Sequence, residues 1–235
     1  QAISDYTKAI ELNPKDADTY NNRGNAYSDK KDLDRAIDDY TKAIELDPNY
    51  AFAYNNRGLA KNKKGDLDGA VADYTKAIEL NPNYYTAYYN RGLAYYDKGE
   101  FDNAIADYTE AIAINPNYAE AYCGRGLAKD KSGDYNGAIE DFTRVIEMGF
   151  KGVRVYSVRG AFKIQTRDYE GAIEDFTKAI EIDPKDAKAY CGRGETKYRT
   201  GDDKGAIEDY TKAIEIDPKF AMAYYNRGLV KIGIG

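Results

Sequence analysis

The sequence predicts an all-α solenoid of antiparallel helix-turn-helix units, and three observations carry that prediction. The dipeptide Arg-Gly recurs at Arg23, Arg57, Arg91, Arg125, Arg159, Arg193 and Arg227, each 34 residues after the last. Pro14, Pro48, Pro82, Pro116, Pro184 and Pro218 keep the same interval, and Phe150 fills the one slot where proline is missing. Between these markers, apolar residues recur at helical spacing. Counting Ala17 as position 1, full repeats span 17–50, 51–84, 85–118, 119–152, 153–186 and 187–220. Residues 1–16 form a trailing half repeat and residues 221–235 a leading one.

The first helix of each unit, helix A, is marked by Tyr at position 4, Gly at 8 and Tyr or Lys at 11, which share one face with position 1 at about 100° per residue. A turn follows. Gly65, Gly99, Gly133 and Gly201 suit the left-handed C′ site, and Asp66, Asp134 and Asp202 after it suit an N-cap. The second helix, helix B, has an apolar stripe of Ala at 20, Ile or Val at 21, Tyr or Phe at 24, Ala or Val at 27 and Ile at 28. Proline beyond that stripe stops it, because the ring forbids helix continuation.

Strings such as AYNNRGLAKNKKGDLDGAVADYTKAIELNP, at 53–82, resemble the tetratricopeptide repeat over essentially the whole chain. Tyr instead of Trp at position 4 and Arg instead of Leu at 7 mark an Asn-Arg-Gly subtype. The resemblance implies a right-handed superhelix whose A helices line a concave groove where protein ligands dock. A pentatricopeptide array, which reads RNA, is the near neighbour; its period of 35 and basic character fit neither the strict 34-residue period nor the formal charge of −6. That charge also opposes phosphate binding, so no nucleic-acid partner is expected.

On helix A, positions 4, 8 and 11 project toward helix B, positions 3, 7 and 10 to one flank, and positions 2, 5, 6, 9 and 13 to the other, uncommitted flank. Asn22, Asn56, Asn90 and Asn226 occupy position 6, where Gly124, Val158 and Gly192 stand in the other repeats. A ladder of carboxamides offers donor and acceptor to an extended peptide backbone. It resembles the asparagine ladder of some peptide-binding tetratricopeptide superhelices. Asn21 and Asn55 at position 5 join the candidate partner-binding set. So do Tyr89 and Tyr225 at position 5 and Tyr96 at 12, whose rings can anchor a partner at small entropy cost. Most of the other tyrosines fall at positions 4, 24 and 34, as packing residues. No three consecutive repeats supply the Lys, Asn and Arg set of the chaperone-tail carboxylate clamp.

Arg at position 7 and Asp at position 23 both occur seven times, Asp5, Asp39, Asp73, Asp107, Asp141, Asp175 and Asp209 being the acids. Pairing between them is expected to fix repeat register, at a cost of about 3–5 kcal/mol for losing one buried partner. Cys123 and Cys191 both sit at position 5, two repeats apart, too far for a disulfide. With no His, neither a metal site, a cofactor nor a Cys-His nucleophile is expected. No phosphate loop or nucleophile elbow interrupts the frame, so catalysis within these residues is not expected.

No long apolar run and no signal-peptide pattern is found, so a soluble chain without membrane insertion is expected. Two thiols favour a reducing, cytoplasmic setting. Gly149 and Gly152 around Phe150 predict a looser junction, followed by a small apolar subsite at Val158, Phe162 and Ile164. The terminal half repeats leave helix faces that expect a partner helix, so the array is expected either to continue or to join another copy head to tail. The sequence thus reads as a scaffold that binds a protein or peptide. A self-associating structural segment and the interaction domain of a larger enzyme are the alternatives.

Overall fold

The computed structural model describes residues 1–233, and among them every regular element is helical. In chain order these are α1 (Ala2–Leu12), α2 (Ala17–Asp29), α3 (Leu33–Leu46), α4 (Ala51–Lys64), α5 (Leu67–Leu80), α6 (Tyr85–Asp97), α7 (Phe101–Ile114), α8 (Ala119–Lys131), α9 (Tyr135–Glu147), α10 (Val153–Gln165), α11 (Tyr169–Ile182), α12 (Ala187–Arg199), α13 (Asp203–Ile216) and α14 (Ala221–Gly233). Even-numbered helices are A helices and odd-numbered ones B helices. The chain forms two compact units that divide within α8, between Gly124 and Arg125. In the first, α2 to α7 pack each on the next, and α2, α4 and α6 also touch in succession. In the second, α9 to α14 pack the same way, with α10, α12 and α14 in succession. The fold is an all-α solenoid.

Local chemistry explains each boundary. At the A-to-B turns the backbone enters the left-handed region at Gly65, Gly99, Gly133 and Gly201, with φ between 78 and 87°. Lys31 and Arg167 hold the same place with φ of 62°, at a steric cost that glycine avoids. Asp32, Asp66, Asp134, Asp168 and Asp202 then cap the B helices, each carboxylate accepting the backbone N–H three residues on. At the B-helix ends, the residue before proline is driven to extended backbone. Its side chain, as in Asp47, Asn81, Asn115 and Asp217, accepts the N–H two residues later. Where proline is absent, α9 stops at Glu147 and Gly149 turns the chain at φ 92°, leaving the Phe150 ring exposed.

The core is a stack of small residues against rings. Ala36, Ala70, Ala104, Ala138, Ala172 and Ala206 at position 20 are fully buried, beside Tyr or Phe at position 24. Close approach is obligatory at Gly58, where a Cβ would lie 2.7 Å from the Tyr74 ring. Phe162 and Ile164 belong to this core rather than to an open subsite. Phe162 packs edge-on against Phe142, centroids 5.5 Å apart, and Ile164 lies with Ala172 and Phe176. Positions 10 and 12 of α10 are therefore filled by neighbouring helices, and only Val158 of the three stays half-exposed.

Candidate partner-binding face of the A helices

The charges at positions 7 and 23 are consumed in a repeated clamp. In the first unit Nε and Nη2 of Arg23, Arg57 and Arg91 donate to both carboxylate oxygens of Asp39, Asp73 and Asp107 at 2.7–2.9 Å. In the second, Arg125, Arg159 and Arg193 do the same to Asp141, Asp175 and Asp209 at 2.5–3.0 Å. A further arm, Nη1, reaches the position-25 threonine of the preceding B helix, as in Arg57 to Thr41, Arg91 to Thr75 and Arg193 to Thr177. Each such arginine thus ties its A helix to two B helices, and planar bidentate geometry suits Arg for this.

Position 11 completes the clamp in one of two ways. Lys61, Lys129, Lys163 and Lys197 give Asp73, Asp141, Asp175 and Asp209 a second cation at 2.8–3.1 Å. Tyr27 and Tyr95 instead place a ring 6.0 Å from the guanidinium of Arg23 and Arg91. In the repeat of Asp107 position 11 is Tyr95 rather than lysine, and burial holds the Asp107 carboxyl above the usual carboxylate range even with Arg91 beside it. The same hydrogen bond raises the Arg91 guanidinium. These groups are paired with one another, which leaves them little capacity for a partner.

The face that remains is built differently in the two units. In the first, the carboxamides at positions 5 and 6 bond to one another across repeats. Asn56 donates to Asn21 Oδ1 at 3.0 Å and to Asn25 Oδ1 at 3.2 Å, and Asn90 donates to Asn55 Oδ1 at 2.9 Å. Asn21 and Asn55 are 5% and 4% exposed, because the following A helix packs over position 5. Asn22 is exposed, while Asn56 and Asn90 are half-buried. Tyr89 is half-buried, its ring 5.1 Å edge-on from Tyr118 and 5.7 Å from Tyr108. Burial, and after it the charge of Glu120, pushes the Tyr89 hydroxyl above the usual phenol range. Tyr96 leans on Phe101 at the start of α7, centroids 5.5 Å apart. Gly124 at position 6 leaves room for the Tyr108 ring, which a Cβ would meet at 2.7 Å.

In the second unit Asn226 hydrogen-bonds toward Tyr210 and Cys191, and Tyr225 is 64% exposed. Burial raises the Cys191 thiol to about 11. Between α12 and α14 lies an open hollow of about 560 Å³ lined by Glu195, Tyr198, Arg199, Tyr210, Met222, Asn226 and Leu229. Of these residues only Asn226 was singled out by sequence reasoning. The signal for the others was present, since Met222, Glu195, Leu229 and Arg199 occupy positions 2, 9, 9 and 13 of the uncommitted flank. Their mixed chemistry lacked the repetition that marks the asparagines. Among the described residues no helix is long and apolar enough to cross a membrane.

Comparison with known proteins settles the lineage. A model described as TPR repeat matches residues 1–31, 58–99, 92–133, 165–201 and 197–235. Further models described as tetratricopeptide repeat match 17–50, 39–72 and 119–148. The chain belongs to the tetratricopeptide repeat family. No curated protein sequence matches it. Among solved structures it is similar to YrrB, described as a TPR protein with an unusual peptide-binding site. The two are 26% identical with TM-score 0.59, covering 95% of this chain and 97% of that one. It is also similar to the C-terminal part of a TPR repeat-containing protein from Cytophaga hutchinsonii, at 20% identity and TM-score 0.80, covering 95% and 92%. A chain of the APC/C hetero-tetramer Cut9-Hcn1 matches at 17% identity and TM-score 0.66 over 96% of this chain. The match spans 45% of that longer chain. Membership of the tetratricopeptide repeat family supports a protein-interaction scaffold.

Proposed function

We propose that the chain binds an extended polypeptide segment along the uncommitted flank of its A helices, without catalysis of its own. The observation that carries this reading is the division of labour seen on α12. There Arg193 at position 7 is spent in the clamp and Gly194 at position 8 in helix packing, whereas positions 9 and 13 of α12 and positions 2, 6 and 9 of α14 line the open hollow between the two helices. That hollow combines the exposed apolar side chains of Met222 and Leu229 with the Asn226 carboxamide and the Glu195–Arg199 pair. Pockets that set a few polar groups beside apolar side chains suit side chains of a bound peptide. Asn22, Asn56, Asn90 and Asn226 supply polar contacts to backbone, with Tyr89, Tyr96 and Tyr225 as ring contacts and Asn21 and Asn55 holding the carboxamide row from beneath. The peptide-binding site of YrrB, which is 26% identical to this chain, supports a peptide as the ligand class.

Affinity capture tests this. The intact chain is compared with a variant in which Asn22, Asn56, Asn90 and Asn226 are all changed to Ala, with circular dichroism as the control for folding. Partners retained by the intact chain are expected to be lost from the folded variant. An identical set of captured proteins would sink the reading. Association of copies alone, seen as concentration-dependent sedimentation with no other protein retained, would replace it with assembly.

A further inference from the structure

The turns that lead into the A helices differ sharply between the two units. Positions 33, 34, 1 and 2 read Lys-Asp-Ala-Asp at 15–18, Asn-Tyr-Ala-Phe at 49–52, Asn-Tyr-Tyr-Thr at 83–86 and Asn-Tyr-Ala-Glu at 117–120. From residue 125 onward the same positions read Lys-Gly-Val-Arg at 151–154, Lys-Asp-Ala-Lys at 185–188 and Lys-Phe-Ala-Met at 219–222. One edge is aromatic and acidic, the other basic.

In the first unit the rings of this edge touch. Tyr50 and Phe52 lie 6.4 Å apart and Phe52 and Tyr84 5.0 Å apart, both edge-on. Tyr85 and Tyr118 lie 5.1 Å apart, and Tyr118 also meets Tyr89 at 5.1 Å. The two groups join at the adjacent residues Tyr84 and Tyr85. Phe52 is 54% exposed, an apolar ring that packing inside the unit does not require. Carboxylates stand at both ends of the strip. Asp18 acts electrostatically on Tyr50, and Glu120 on Tyr118 and Tyr89. Asp18 and Glu120 are themselves exposed.

A ring beside a carboxylate is a receptor for guanidinium, which stacks on the one and pairs with the other. The molecule shows this arrangement internally at an exposed site: Arg35 lies 4.6 Å from the Tyr27 ring centroid while its Nε donates to Asp32 at 2.6 Å. Along the strip the same elements stand without an arginine. Position 2 is Asp18, Phe52, Thr86 and Glu120, and Lys15 is the one cation in the four turn segments.

We propose that the turn edge of the first unit is a docking strip for an extended, arginine-bearing polypeptide, whose guanidinium groups stack on the Phe52, Tyr84, Tyr85 and Tyr118 rings and pair with Asp18 and Glu120. This deepens the proposed function by naming the partner's chemistry, and it rests on that reading in placing the contact on the A-helix side. Successive A helices stand ~10 Å apart and an extended chain advances ~3.3 Å per residue, so arginine at roughly every third position meets successive repeats.

The test uses the full chain and a fluorescein-labelled peptide of about twelve residues with arginine at every third position, followed by fluorescence anisotropy at about 0.15 M salt. Phe52→Ala and Glu120→Lys are each expected to weaken binding about tenfold, the size of one aromatic or charge-pair anchor. Replacing arginine by lysine in the peptide is expected to weaken it about fivefold, and replacing it by glutamate to abolish it, since rings favour guanidinium and carboxylates repel like charge. Lys185→Ala, at position 33 of the basic edge and outside the flank, is expected to leave the affinity unchanged. Equal affinity of the Phe52→Ala and Glu120→Lys variants and the parent chain would overturn the strip, as would no binding of the arginine peptide. Loss of Phe52-dependent dimers in sedimentation, with no effect on the peptide, would assign the strip to a second copy and overturn it too. None of these results bears on the asparagine variant used to test the groove, so the two failures are separable.

Discussion

Changing Asp107 to Ala isolates the clamp in one of the two repeats, with that of Asp39, where a tyrosine stands at position 11. Asp107 is 5% exposed and accepts two hydrogen bonds from Arg91, at 2.8 and 2.7 Å, with Tyr95 rather than lysine at position 11. Truncation removes two charge-assisted bonds of about 1.5–3 kcal/mol each and leaves a guanidinium with Thr75 as its remaining acceptor. Breaking a buried pair costs about 3–5 kcal/mol. The Arg91 side chain keeps 17% of its surface in water and can partly rehydrate, which places the loss at the low end, about 3 kcal/mol. For a chain of this size that is a fall of roughly 6–12 °C in Tm. Asp73→Ala strands two cations, Arg57 and Lys61, and is expected to cost more, about 4–5 kcal/mol. Thermal and urea melts followed by far-ultraviolet circular dichroism measure both. A repeat array unfolds through neighbour contacts, so the urea slope is compared alongside the midpoint. An Asp107→Ala chain that melts with the parent, or costs matching those of Asp73→Ala, would refute the clamp as the device that holds register.

Three further outcomes follow from single residues. Tyr74 is fully buried and its hydroxyl has no hydrogen-bond partner among the described residues, whereas Phe142 and Phe176 occupy the same repeat position. Tyr74→Phe is therefore expected to hold or raise stability, by up to about 1–3 kcal/mol in the melts above, and a clear loss would contradict the packing described. Lys31→Gly and Arg167→Gly relieve left-handed backbone at φ 62°, and each is expected to raise the Tm by a few degrees, about 0.5–1 kcal/mol. The Cys191 thiol is held at about 11 by burial, so in a Cys123→Ser background iodoacetamide labelling at pH 8 is expected to run roughly a hundredfold below an ordinary thiol and to rise about tenfold per pH unit toward 11. The raised value also means that the protonated thiol favours the folded state. That contribution is intact below the ordinary thiol pKa of 9.0 and is lost as pH rises through about 11.

Much of this was legible in the sequence because the physics involved is local. Gly65, Asp66 and Pro82 each act through their own backbone or the next few residues, so helix ends follow from spacing alone. The Arg–Asp pairing was legible for a different reason: both residues recur in every repeat, and buried charge demands a partner. Thr41 and Thr75 as third partners were not found, although threonine recurs at position 25 in each B helix. A hydroxyl at a helix surface has its own backbone carbonyls to bond, so recurrence alone does not point to an arginine one repeat later.

The flank itself was drawn from one helix at a time, and there the projection reached its limit. Asn21 and Asn55 lie on the side that a lone helix leaves open, yet the next A helix covers them and Asn56 and Asn90 take up their oxygens. Phe162 and Ile164 are buried by neighbouring helices in the same way. Angular position on one helix does not encode how near the following helix sits. The ring at position 24 takes part in setting that distance, as Tyr108 does in lying against both Gly92 of α6 and Gly124 of α8.

Site-specific photo-crosslinking addresses the scaffold reading most directly. A benzophenone side chain placed in turn at Asn22, Asn56, Asn90 and Asn226, and at Asp38, Ala72 and Ala106 on the exposed side of the B helices, is irradiated with the captured partner bound. The account predicts crosslinks from the asparagine positions and none from the B-helix set. Crosslinks confined to Asp38, Ala72 and Ala106 would place the partner on the opposite face and contradict it.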